Sequence, residues 1–89
     1  MEEEKIVIPK NMDEVFKFFD KELTTEDKEE LIKYDAIEFH HSLGRWIRNN
    51  FGLWESSELK SWLINKDFIS PDDMSNYIIK EYQKHLKSL

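Results

Sequence analysis

No cysteine occurs among the 89 residues, so disulfides, thiolate metal sites and cysteine nucleophiles are excluded. Small secreted domains usually depend on disulfides, so their absence here leads us to expect a reducing compartment, the cytoplasm. Glycine and proline occur twice each. That leaves no glycine-rich loop to cradle a phosphate and no proline-rich linker. No uninterrupted apolar run approaches the roughly 20 residues of a membrane-crossing helix. The start, Met1-Glu2-Glu3-Glu4-Lys5, has no apolar stretch and does not read as a signal peptide.

What the chain does have is aromatics and charge. Three Trp, six Phe and three Tyr each carry about 150–250 Å² of buriable surface, enough to build a core from few positions. Charged residues make up 36% of the chain and the net charge is −6. The charge is uneven. Residues 1–44 hold thirteen Asp and Glu against six Lys and Arg, a local charge of −7, whereas residues 45–89 sum to +1. Such a surface repels phosphate, which argues against nucleic acid as a partner, and attracts a basic protein. The plainer reading is a solvated coat that keeps the chain soluble.

Hydrophobic spacing predicts an all-α fold: a compact orthogonal bundle of four to five short helices behind a short extended arm. The arm covers residues 1–10 and the helical domain residues 11–89. Ile6-Val7-Ile8, stopped by Pro9, is an extended stub. Asn11 caps the first helix, with Glu14 three residues on, and Met12, Val15, Phe16, Phe19 and Leu23 share one face, leaving Lys17, Asp20 and Lys21 on the other. Thr24 or Thr25 caps a second helix that buries Leu31 and Ile32. Asp35, with Glu38, is expected to start a central helix whose stripe is Ile37, Leu43, Gly44 and Ile47, broadened by Phe39, Trp46 and Phe51. Gly44 allows a close approach and Gly52 falls where a C-terminal glycine belongs. Ser56 or Ser57 opens a fourth helix carrying Leu59, Trp62 and Leu63. Ser70-Pro71-Asp72-Asp73 is the clearest helix start in the chain, followed by Met74, Ile78, Tyr82, Leu86 and Leu89, with Tyr77 widening the stripe.

The run Leu43-Gly44-Arg45-Trp46-Ile47-Arg48-Asn49-Asn50-Phe51-Gly52-Leu53-Trp54, together with Pro71-Asp72-Asp73-Met74-Ser75, Ile78, Tyr82, His85 and Leu86, resembles a small uncharacterised bacterial and phage domain family. Residues 23–30 match it less specifically, and the connector before the central helix is shorter than in the family. The resemblance extends from about residue 12 onward. It implies a compact helical domain of bacterial or phage origin and carries over no catalytic residue.

Candidate chemistry is sparse. His40 and His41 point about 100° apart on a helix and have no ligand partner three or four residues on, so one packs and the other faces water. Glu81 and His85 have i, i+4 spacing, yet a zinc site needs a third ligand, such as His41 or Glu38 brought close by another helix. An ordinary helix-surface pair is the preferred reading. Asp72 and Asp73 fit the first turn of a helix without any catalytic role. The group of greatest interest is His41, Arg45, Arg48, Asn49 and Trp54. Two arginines beside tryptophans could hold an anionic or nucleotide-derived ligand, or form a protein-binding hot spot. Alternatively, Arg45 and Arg48 pair internally with the acidic half and the Asp72-Asp73 turn. Leu53 and Trp54 either close over the core or form an exposed apolar patch.

The sequence expectation is therefore a non-enzymatic protein-interaction module, immunity- or inhibitor-like. It would use the acidic surface or the Arg/Trp face and be a monomer or homodimer, with no metal, no cofactor and no membrane. A metal-dependent enzyme is the remote alternative.

Overall fold

Helix α5 (Pro71–Lys87) is the longest element, and the rest of the chain is arranged around it. The computed structural model describes residues 8–55 and 57–89. The stub at Ile6 and Val7 lies outside them. Along the described chain come α1 (Met12–Glu22), α2 (Thr25–Lys33), a 3₁₀ turn (Ala36–Phe39), α3 (Leu43–Asn50), α4 (Glu58–Asn65) and α5, with no strand among the described residues. This is the all-α bundle of five short helices that the spacing predicts. Helix α5 packs against α1, α2, the 3₁₀ turn and α3.

Local chemistry sets most of the boundaries. The side chains of Asn11, Thr24, Ser57 and Ser70 accept the backbone N–H groups of Glu14, Asp27, Lys60 and Asp73 at 3.0–3.2 Å. Each removes one unsatisfied donor from a helix start. At Thr24 the cap is reciprocal, because the Asp27 carboxylate accepts the Thr24 N–H. Gly52, just past α3, sits at φ +71°, where a Cβ would also stand 3.1 Å from the Ser57 Cβ. Just past α4 and its cap residue Lys66, Asp67 also sits at φ +71°. There the N–H groups of Phe68 and Asp67 reach back to Leu63 O and Ile64 O, the pairing of a Schellman motif.

The core is aromatic and aliphatic. Val15, Phe19, Leu31, Ile47, Phe51, Leu53, Leu59, Leu63, Met74, Ile78 and Tyr82 are almost wholly buried. Phe51 contacts Phe18 edge-on (5.6 Å between centroids), Phe19 at a tilt (5.8 Å) and Trp46 edge-on (5.4 Å).

Three expectations need correction. Asp35 makes no side-chain cap, and the central helix does not run from it. A 3₁₀ turn comes first, the chain breaks at His40–Ser42, and α3 starts at Leu43. The break has a physical cause: the Phe39 carbonyl lies 3.1 Å from where a Gly44 Cβ would be, and Arg48 takes the His40 carbonyl. Turned outward by this break, Ile37 is 66% exposed instead of lying on the core stripe. Ile32 is likewise exposed, leaving Leu31 alone as the buried anchor of α2.

Asp20, on the side of α1 away from the apolar stripe, is exposed as expected, yet it also links two helices. Its carboxylate accepts the Tyr82 hydroxyl at 2.8 Å and lies 3.1 Å from His85 Nε2, joining α1 to α5. His85 in turn stacks on Phe16 at 4.6 Å. Burial pushes the Asp20 pKa up, but hydrogen bonds from Tyr82 and His85 and the charges of His85 and Lys28 outweigh it and hold the group below the usual carboxylate range. A depressed carboxyl pKa contributes stability that is complete above the unfolded value of about 4 and is lost as pH falls through the lower folded value. Thermal melts between pH 6 and pH 3 should therefore show a smaller drop in Tm for Asp20→Asn than for the wild type. Parallel curves would contradict the pairing.

Candidate functional site

Helix α3 carries the polar residues of most interest, and the fold separates them. Arg48 is 6% exposed. Its Nη1 donates to Ser75 Oγ at 2.9 Å, its Nη2 to the His40 carbonyl at 3.1 Å, and its Nε lies 3.5 Å from Asp72 Oδ1. The Ser75 hydroxyl in turn donates a hydrogen bond to the Asp72 carbonyl at 3.1 Å. Arg48 is thus a cross-brace between α3, α5 and the chain break after the 3₁₀ turn, and all three guanidinium nitrogens are engaged. Gly44 makes room for it, since a Cβ there would stand 3.1 Å from Nη1.

The other members of the group lie elsewhere. Arg45 is exposed, and so is His41, whose ring meets His40 edge-on at 4.8 Å. Asn49 and Trp54 do come together: Trp54 Nε1 donates to Asn49 Oδ1 at 2.9 Å. Leu53 is fully buried while Trp54 is 59% exposed, so the Leu53–Trp54 loop covers the core with one side chain and leaves the other outside. With Arg48 committed inward, Arg45 and Arg48 do not form a two-guanidinium clamp.

The i, i+4 pair on α5 is also divided. Glu81 takes Lys84 at 3.1 Å and His85 takes Asp20. Among the described residues no three His, Asp or Glu side chains are grouped as a metal set. Tyr82, in contact with Asp20, is fully buried; burial and the carboxylate push its phenol pKa up, so it stays a neutral hydrogen-bond donor. Gln83, unremarked in the sequence, is 8% exposed and donates to the carbonyls of Leu31 and Tyr34 at 2.9 and 2.8 Å, closing the end of α2. Its signal was positional: Ile79, Gln83 and Leu86 continue one buried face of α5.

A groove of about 570 Å³ on the opposite side of α3 has room for a partner. Helix α1 supplies Phe18, Phe19 and Glu22, with Leu23 just beyond its end; α2 supplies Asp27, Glu30 and Leu31. The third wall is Phe39, Ser42, Leu43 and Trp46. Phe18 and Trp46 stack at 5.8 Å along it, with Trp46 37% exposed. The floor is apolar and the charged rim is acidic throughout. Asp27 is partly used by its cap, whereas Glu22 and Glu30 are exposed and make no ion pair among the described residues.

Four short helices and a 3₁₀ turn around a long C-terminal helix, with an inward-facing arginine brace and an acid-rimmed aromatic groove, define a small all-α domain. The chain belongs to the domain of unknown function family DUF6794, whose model matches residues 8–86. No curated protein and no solved structure matches it. No helix among the described residues is long and apolar enough to cross a membrane.

Proposed function

We propose that this domain is a small, non-enzymatic protein-interaction module, immunity- or inhibitor-like, acting in the bacterial or phage-infected cytoplasm through its acidic half. One observation carries the reading: the groove between α1, α2 and α3, with its exposed Trp46 and with Glu22 and Glu30, which make no ion pair among the described residues. Exposed aromatic surface bounded by charge is the composition expected of a docking patch, in which an anchor fills a desolvated pocket and the rim steers the encounter. The commitment of Arg48 to Ser75, His40 and Asp72 supports the same choice, because it takes away half of the competing anion-binding pair.

Affinity capture with three forms of the full chain tests this. A partner should be retained by the wild type and by Arg45→Glu, and lost from the Glu22→Lys/Glu30→Lys double variant. A partner lost from Arg45→Glu but kept by the double variant would move the function to the Arg/Trp face. No specifically retained protein at all would contradict the module itself.

A further inference from the structure

The geometry points to a basic amphipathic helix as the occupant of the α1–α2–α3 groove, its apolar face on Phe18, Leu43 and Trp46 and its lysines or arginines against Glu22 and Glu30. This rests on the reading of the groove as the docking site and goes on to name the chemistry of what docks.

Three observations carry it. First, the walls are helices and a 3₁₀ turn, with no strand among the described residues. An extended peptide gains its affinity by adding to a sheet edge, and none is offered here. A segment entering an apolar trough must satisfy its own backbone, and a helix does so internally. Second, most of the lining is apolar, with Phe18, Leu23, Leu31, Phe39, Leu43 and Trp46 among its side chains, which suits anchors at i, i+3 or i+4, and i+7 of one helical face.

Third, the charged residues of the rim are all carboxylates, and they belong to the half of the chain that carries −7. Lysine or arginine flanking the anchors would meet Glu22 and Glu30, and a cation passing over Trp46 or Phe18 would gain from the ring face as well. The same charge argues against a second copy of this chain as the occupant, because two acidic rims on molecules of net charge −6 repel.

The test is selection of a random 16-residue peptide display library on the immobilised full chain. Selected peptides are then made synthetically and measured against the wild type, Glu22→Lys/Glu30→Lys, and Glu29→Lys/Glu55→Lys. The last variant changes net charge equally but away from the groove, at exposed positions, and all three forms are checked for native helicity. The proposal expects peptides with apolar residues at helical spacing and Lys or Arg between them. They should gain helical circular dichroism on binding and lose about tenfold or more in affinity to the groove variant alone.

Groove-dependent peptides that are neutral, acidic or proline-rich would overturn the basic helix and leave the groove as a docking site. Peptides weakened equally by both charge variants would overturn the groove too, as would failure to enrich any sequence. A dimer in sedimentation that dissociates in the groove variant would place a second copy there and overturn the proposal.

Discussion

Arg48→Ala is expected to lower the unfolding free energy by about 3 kcal/mol in urea titration. The substitution removes two hydrogen bonds from a charged donor, each of the kind worth about 1.5–3 kcal/mol, strands the His40 carbonyl and leaves a void beside Gly44. Asp72→Asn should cost far less, about 1 kcal/mol or under, because Asp72 is 62% exposed at its side chain and its pairing is screened by water. Arg48→Lys should fall between, since one ammonium cannot reach three elements at once. The order Ala, then Lys, then Asn is the signature of an arginine that acts as an internal brace. Equal small losses for Arg48→Ala and Asp72→Asn would indicate a surface ion pair instead.

Phe51→Ala carries a comparable or larger cost, about 3–5 kcal/mol. Phe51 is fully buried and touches Phe18, Phe19 and Trp46, so its removal opens a cavity directly beneath two walls of the groove. In a domain whose whole stability is of the order of 5–15 kcal/mol, that loss populates unfolded chain at moderate temperature. Phe51→Leu keeps most of the volume and should cost about 1–2 kcal/mol. The two residues differ in a second way. Phe51→Leu should weaken partner binding by more than its folded fraction accounts for, because Trp46 and Phe18 lose the edge they rest on. Arg48→Lys should leave that affinity unchanged, because the brace faces α5.

How far these features could be read in advance depends on how local their causes are. The caps at Asn11, Thr24, Ser57 and Ser70 were legible because a cap is made by residues three apart. Gly52 was legible for the same reason, as a residue past a helix end that tolerates positive φ. Asp35 carried the same local signature and failed. The chain there answers to Gly44 and Arg48, which draw the Phe39 and His40 carbonyls in and break the helix before it can start. Here tertiary contact overrides a capping preference.

The candidate site was legible only in part. Internal pairing of Arg48 with the Asp72 turn was one of two open readings, and the sequence spacing of 24 residues could not decide between them. Asp20 looked like a solvated residue because Tyr82 and His85, which claim it, lie more than sixty residues away. The groove was not legible at all. Phe18 falls outside the main apolar stripe of α1, and a depression between three elements has no sequence period of its own.

If a partner docks in the α1–α2–α3 groove, the three tryptophans report on it directly. Trp46 lines the groove, Trp54 lies beyond the end of α3 and Trp62 lies on α4. Their indole N–H resonances in a ¹⁵N-labelled sample can be followed while the captured partner is added. The Trp46 signal is expected to shift while those of Trp54 and Trp62 stay in place. A shift of Trp54 with Trp46 unmoved would contradict docking there.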